Sequence, residues 1–386
     1  MAELKLTLET VTPLFLGGAD QQPELRPTAF RGALRFWLRA LLGAHIGDDL
    51  KRLHEEENKV FGSTGGASPI AIRVWGTPTV DDQFKLKNES RGVQYLYFSM
   101  QPWKGEPRYP FAVREQFSLK LWTRAGVSEN LAFKQACAAL WLLVHLGGVG
   151  GRSRRGAGNL RVVSVDAGVW PEDLPRLMCN KESVQGYLDF LQTGLKQLRE
   201  ATHLPAGQQA PFDFDVLHSQ RCRLSVVEPA QRNWSLVLDG MGNAMKRFRS
   251  HKNEGADDYA AIRAAQPKGA QLSQVGRAGF GLPIVFYSRS TGPLGTLEPA
   301  EQSRRASPLL IKVTLLPKMG EDNHLLQLLL FNNKVLPKGE GIVLDKGDDD
   351  VAKGPAPNTD MVIDFLQALS STYKPFKRAI VREVSL

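Results

Sequence analysis

The chain has 386 residues, 49 Lys+Arg against 40 Asp+Glu, a formal net charge of +9 and 42% hydrophobic residues. That length exceeds what one core usually serves, so two domains are expected. No uninterrupted apolar run reaches about 18 residues, which leaves no candidate membrane-spanning helix.

The opening Met-Ala-Glu-Leu-Lys-Leu-Thr-Leu reads as an amphipathic strand rather than a signal peptide. Cys137, Cys179 and Cys222 are odd in number and widely spaced, with no C-x-x-C pair. This argues against a disulfide framework and a zinc site, and suits a reducing cytoplasm. Residues 1–166 hold 22 basic and 16 acidic side chains, and the remainder holds 27 and 24. The basic excess therefore lies mainly in the first half, and it favours polyanionic partners.

Residues 3–11 alternate as a strand that Pro13 and Gly17-Gly18 end. After the polar stretch 19–27, a helix capped by Thr28 is expected to run to about Gly43, burying Phe30, Leu34, Trp37, Leu38 and Leu41. Arg31, Arg35 and Arg39 stand four apart on a neighbouring face. No Asp or Glu occurs between Glu24 and Asp48, so this ridge has no acidic partner at i±4. A charged, exposed helical piece (51–59), a loop (61–66) and strands at 68–74, 94–100 and 111–122 follow. Next comes a buried helix over 129–146, and a strand over 159–165 completes β-α-β-β-α-β, the ferredoxin-like or RRM pattern.

Between that helix and that strand, six glycines surround Arg152, Arg154 and Arg155 within residues 146–160. Such a loop can aim several N–H groups at one anion, and its guanidiniums are suited to phosphate oxygens. A dinucleotide or P-loop fingerprint runs strand, Gly-rich turn, helix, whereas this one runs helix, loop, strand, and no G-x-x-x-x-G-K-[ST] occurs. A phosphodiester backbone is the better ligand than a nucleotide cofactor. A flexible, solvated basic loop is the bland alternative.

Residues 170–210 hold a proline-punctuated turn and an amphipathic helix over 183–201. A second round follows, with a strand over 212–227 and a helix over 234–251 ending in Lys246, Arg247 and Arg249. It continues through a polar loop over 252–279, strands over 307–313 and 324–331, a helix over 361–372 and a strand over 378–384. Residues 345–358 are a mobile loop by composition. Each half has a basic helix, a Phe-Gly pair (61–62 and 280–281) and a Ser-Pro pair (68–69 and 307–308) before an alternating strand. This order supports a tandem duplication. The expected class is α+β, tandem ferredoxin-like (RRM-like) domains with antiparallel sheets, at 1–168 and 212–386 around a helical connector at 169–211.

The seven histidines form no close metal-ligand pair, and His54-Glu55 lacks the second His of H-E-x-x-H because position 58 is Asn. Asp348, Asp349 and Asp350 read as solvated. No serine or cysteine nucleophile signature is present. His45, beside the arginine ridge, is the one candidate general acid or base for a ribose phosphate.

Thr12–Gly18, Glu24–Ala40, Phe61–Ser63, the loop at 147–158, Phe280–Ile284 and Arg304–Leu309 together resemble one family. It is the first-numbered (tail) subunit family of the type III-B CRISPR Cmr effector complex, within the RAMP superfamily. The resemblance implies two ferredoxin-like domains and a non-catalytic RNA-binding subunit, near the guide 3′ end and the facing target, in antiviral defence. The partners it implies are CRISPR guide RNA, target RNA and other Cmr-complex RAMP subunits, in the cytoplasm. It implies no cofactor, metal, membrane or small-molecule substrate.

Motif positions carried over are Arg31, Arg35, Trp37 and Arg39, then Arg152, Arg154 and Arg155, then Arg304 and Arg305. Arg26 and Gly150 lie inside the same blocks, and Lys246, Arg247 and Arg249 are added on charge grounds. The aromatic RRM motif is absent, so recognition through phosphates and shape is expected. The rivals are a metal-independent endoribonuclease of the same superfamily that processes CRISPR RNA with His45, and a protein-bridging subunit that touches no RNA.

Overall fold

The computed structural model describes residues 2–101, 106–124, 130–201, 212–250, 258–288, 290–320, 323–347, 351–373, 376–377 and 379–384. The first half comprises β1 (Glu3–Thr10), α1 (Pro27–Ile46), α2 (Leu50–Phe61), β2 (Ile70–Trp75), α3 (Arg91–Tyr97), β3 (Gln116–Thr123), α4 (Asn130–Leu146) and β4 (Leu160–Gly168). Its antiparallel sheet has the order β2-β3-β1-β4. Period-two alternation puts Leu4, Leu6 and Leu8 of β1 on the buried face, where they share a core with α1 and α4. The connector holds α5 (Val184–Glu200), capped by the Ser183 hydroxyl, which accepts from the Gly186 amide at 3.0 Å.

The second half comprises β5 (Cys222–Gln231), α6 (Trp234–Ser250), α7 (Asp258–Ala264), β6 (Ile284–Ser288), β7 (Gly292–Pro299), β8 (Leu309–Leu315), β9 (His324–Phe331), β10 (Ile342–Asp345), β11 (Val351–Gly354), α8 (Asp360–Thr372) and β12 (Ile380–Val384). One sheet has the order β12-β5-β9-β8 and a second, inserted sheet the order β11-β10-β7-β6. With the insertions set aside, β5-α6-β8-β9-α8-β12 repeats the strand order of the first sheet. The fold is α+β with antiparallel ferredoxin-like sheets.

The short repeat signals carry matching geometry. Gly62 and Gly281 both take positive φ, +72° and +111°, and a Cβ at either would press on the backbone of Ser68 or Ser307 respectively. Ser68 and Ser307 each donate to the carbonyl, and accept from the amide, of the residue two places on. Phe-Gly and Ser-Pro thus meet to start an equivalent strand in each half, β2 and β8.

Several local expectations are corrected. Residues 94–100 are helix α3 and a 3-10 turn, because Val93, Leu96 and Tyr97 bury at helical spacing. α1 starts with Pro27 in its first turn, ahead of Thr28, and runs on to Ile46. Residues 212–221 form no strand; Asp213 and Asp215 there pair with cations of other segments. Part of 258–279 is helical, as α7 and a 3-10 turn, and 351–354 pairs with β10 as a hairpin. The Asp348–Asp350 run lies outside the described residues. Among the described residues no helix is long and apolar enough to cross a membrane.

Contacts at several places fasten the halves together. α3 crosses α6 at glycines: a Cβ on Gly92 would lie 2.0 Å from the Asp239 carbonyl oxygen, and one on Gly242 would lie 2.1 Å from that of Gly92. The Leu217 amide donates to the Ala40 carbonyl of α1 at 2.8 Å. Another is the Gly/Arg loop, where Ile311 of β8 donates to the Arg154 carbonyl at 3.2 Å.

Candidate nucleic-acid interface

The glycines of the loop serve close packing. Gly147 follows α4, and a Cβ there would sit 2.5 Å from the Trp37 indole nitrogen. Gly150, at φ +85°, faces the Phe15 carbonyl oxygen at 2.3 Å from the same imagined atom. The amides of Val149, Gly151, Arg155, Ala157 and Gly158 all donate to carbonyls of the protein. The expectation of a backbone cradle for an anion is therefore corrected at these five amides. Arg152 itself has φ +60°, a conformation fixed by two amides, those of Arg155 and Ala157, that converge on its carbonyl.

The side chains of the loop diverge. Arg154 donates to Asp215 at 2.7 Å and to the Ser307 carbonyl at 2.6 Å, lying over the Phe36 ring. Arg305 reaches the other oxygen of Asp215 at 2.7 Å. This buried carboxylate thus bridges guanidiniums from both halves, and their charges hold it below the ordinary carboxylate range against the effect of burial.

Arg152 instead donates through Nε to the Leu96 carbonyl at 2.7 Å, with its guanidinium 4.9 Å from the centre of the Phe98 ring. Arg155 donates to the Phe280 carbonyl at 2.9 Å. Arg249, at the end of α6, donates to the Tyr95 hydroxyl at 2.7 Å and lies over the Phe280 ring.

Among the described residues, Arg152, Arg155 and Arg249 form no ion pair, and Arg155 Nη1 and Arg249 Nε are buried without a hydrogen-bond partner. Burial, then repulsion from Arg152 and Arg249, pushes Arg155 down to about 9, so it stays charged at neutral pH. Burial also lowers Arg152. Phe98, 64% exposed, stands at the edge of this cluster. Lys246 and Arg247 are exposed on the last turns of α6, and Arg247 lies over Tyr373. Of the three residues added on charge grounds, Arg249 is thus the one that joins the loop.

The ridge on α1 is organised differently. Arg35 pairs with Glu57 of α2 and donates to the Gly62 carbonyl at 2.6 Å and to Asn58 at 3.2 Å. Arg39 pairs with the other Glu57 oxygen at 2.9 Å, and Arg31 donates to the Phe61 carbonyl at 3.3 Å. The reading of an uncompensated ridge is corrected by one residue of the otherwise largely exposed 51–59 helix, because Glu57 is 3% exposed beneath the guanidiniums. A test at i±4 sees only the same helix. Two of these cations also finish the C-terminus of α2.

Trp37 is 2% exposed and packs on Phe36 and Phe331, so its ring is core and offers no face to a base. Arg26 donates to the Gly17 carbonyl at 3.3 Å, with Glu24 at 3.8 Å. Arg304 is exposed.

A family model described as the RAMP superfamily matches residues 7–161. Among proteins of Pyrococcus furiosus, the CRISPR system Cmr subunit Cmr1-1 is 38% identical over 259 residues, spanning 64% of this chain and 71% of that protein. Cmr1-2 of the same organism is 32% identical over 189 residues, spanning 42% of this chain and 96% of that one. The chain belongs to the Cmr1 family. It is therefore a RAMP-superfamily subunit of the type III-B CRISPR Cmr effector.

Cmr1 of Pyrococcus furiosus, in an apo crystal structure, shares the fold at a TM-score of 0.63 and 23% identity, with 100% of this chain and 99% of that one covered. A chain of the type III-B Cmr-beta complex bound to cognate target RNA shares it at 0.56 and 12% identity, with 96% and 99% covered. Likeness at these identities speaks for the fold.

In this Cmr1-family chain His45 lies half-buried in the last turn of α1. None of the partners of Arg152, Arg155 and Arg249 comes from that turn. Among the described residues no group of three or more His, Cys, Asp or Glu could hold a metal ion. The cysteines are free, and burial pushes their thiols up, Cys179 to about 11.

Four residues that matter here escaped the sequence reading. Glu57 and Asp215 act across segments. Tyr95 and Phe98 were hidden by the strand reading of 94–100, a stretch too short for its periodicity to separate helix from strand.

Proposed function

We propose that this chain is a non-catalytic, RNA-binding structural subunit of the type III-B CRISPR ribonucleoprotein. In this reading it grips the phosphodiester backbone of guide or target RNA beside other RAMP subunits, in antiviral defence. The carrying observation is the cluster of Arg152, Arg155 and Arg249, which share one site and form no ion pair among the described residues. Cations gathered without an ion pair repel one another, and a phosphate at the exposed edge of the cluster, beside Phe98, relieves that repulsion. Phe98 supplies an exposed ring on which a base stacks irrespective of its identity.

Lys246, Arg247, Arg304 and Arg26 extend the basic surface, while Arg154, Arg305, Arg31, Arg35 and Arg39 hold the scaffold beneath it. The two RAMP domains span 1–168 and 212–386 around the connector at 169–211. The chain of the Cmr-beta complex that shares this fold comes from an assembly bound to cognate target RNA, which supports the same class of ligand.

Photocrosslinking with single-stranded RNA carrying 4-thiouridine tests the proposal. Adducts mapped by mass spectrometry are expected on Phe98, Tyr95 or the 150–155 loop. Adducts confined to other surfaces, or none, refute it.

A further inference from the structure

A second feature lies where the free edges of β4 and β8 face each other beneath the connector. Past the backbone bridge of Arg155 to Ile311, the Asn159 side-chain oxygen accepts from the Val313 amide at 2.8 Å. Beyond that point a cavity of about 380 Å³ opens between the two strands. This volume falls in the range of small-ligand sites, roughly 300–1,000 Å³.

Its lining contains no acidic side chain and three cations, Arg161, Lys312 and Lys318. Arg161 is spent, because both its Nε and its Nη2 donate to Glu9, at 2.7 and 2.9 Å. Lys312 is not. It is 3% exposed, and its Nζ donates to the Gly147 carbonyl at 3.0 Å, just past the C-terminus of α4. An ammonium has three N–H donors, and among the described residues this one has no carboxylate partner.

The neighbouring His145 adds no charge. Its Nε2 donates to the Leu177 carbonyl, and burial holds its pKa at about 3. Val162, Leu315 and Tyr187 give the cavity an apolar wall, while Lys318 is exposed at the rim.

We propose that this cavity binds a phosphate group carried on a body of mononucleotide size, with Lys312 as the buried phosphate contact and Lys318 guarding the entrance. Lysine binds phosphate as a point charge, and the apolar wall accommodates the rest of the molecule. Burial pushes Lys312 down to about 7, and a phosphate beside it would favour its charged form. The site shares no residue with the Arg152, Arg155 and Arg249 cluster and stands independently of the RNA reading. Two sources carry the chemistry, a free nucleotide and the phosphorylated end of an RNA strand.

The test uses the full chain and pyridoxal 5′-phosphate as probe. The neutral Lys312 amine adds to the probe's aldehyde carbon, water leaves as the imine forms, and borohydride delivers the hydride that fixes it as a secondary amine. Peptide mapping is expected to find Lys312 labelled ahead of exposed lysines such as Lys196. AMP or a 5′-phosphorylated RNA oligonucleotide is expected to suppress that label at least severalfold. Adenosine and the unphosphorylated oligonucleotide are expected not to. Protection by AMP alone identifies a free nucleotide, and protection by the oligonucleotide alone identifies a strand end. Failure to label Lys312 ahead of exposed lysines overturns the proposal, as does a label that neither phosphate compound suppresses or that adenosine suppresses equally.

Discussion

Asp215 sits between Arg154 of the first half and Arg305 of the second, its side chain 3% exposed. Removing one member of a buried ion group costs more than the group's net worth, because the rest is left desolvated and uncompensated, typically about 3–5 kcal/mol. Asp215→Asn is expected to lower unfolding stability by that order in urea titrations. The acid limb gives a second signature. The folded carboxyl is held below its ordinary value of about 3.9, so its contribution is complete above that value and is lost as pH falls through the depressed one. Wild type is therefore expected to lose an increment of stability in that window that Asp215→Asn lacks. Equal acid profiles for the two proteins contradict the assignment. Glu57 does comparable work under Arg35 and Arg39, so those guanidiniums are bound to the scaffold before any ligand arrives.

At the scale of elements, the α3–α6 crossing depends on two glycines that leave no room for a methyl group. Gly92→Ala or Gly242→Ala would drive a Cβ into a carbonyl that belongs to the other helix, so neither helix can relieve it by turning a side chain. Overpacking of this kind costs about 1–3 kcal/mol or more, seen as a lowered melting temperature. Gly32 is the control, since it lies in α1 with nothing within 4 Å of an added Cβ, and Gly32→Ala is expected to stabilise by up to about 1 kcal/mol. A melting temperature unchanged by Gly92→Ala contradicts the reading of a tight crossing.

The long elements were legible because their periodicity is local. The Leu4-Leu6-Leu8 alternation, the α1 stripe and the Phe-Gly and Ser-Pro pairs all state their positions within a few residues. The 91–100 stretch was not legible, because a seven-residue helix with aromatics at its end satisfies either period. The purpose of the Gly/Arg loop was half legible. Its arginines announce an anion, but only the fold shows that Asp215, distant in sequence, supplies one for Arg154 and none for Arg155.

Across the whole molecule, two ferredoxin-like sheets are joined by the loop, by the α3–α6 crossing and by the 212–218 segment against α1. The arginines of the sequence divide accordingly. Some are paired and hold the halves together, while Arg152, Arg155 and Arg249 are gathered with no ion pair among the described residues where α3, the loop and the end of α6 converge. The exposed charges around them, Lys246 and Arg247, add to an attraction that salt screens.

The central claim is that this unpaired cluster neutralises RNA phosphates, and salt dependence measures it most directly. For a single strand, log K falls with log[salt] by about 0.7 per phosphate neutralised. In fluorescence anisotropy with single-stranded RNA, replacing Arg152, Arg155 and Arg249 by Gln is expected to weaken binding similarly across sequences. The magnitude of the slope is expected to fall by about 2. A folded triple variant that binds with the wild-type affinity and slope would contradict the account.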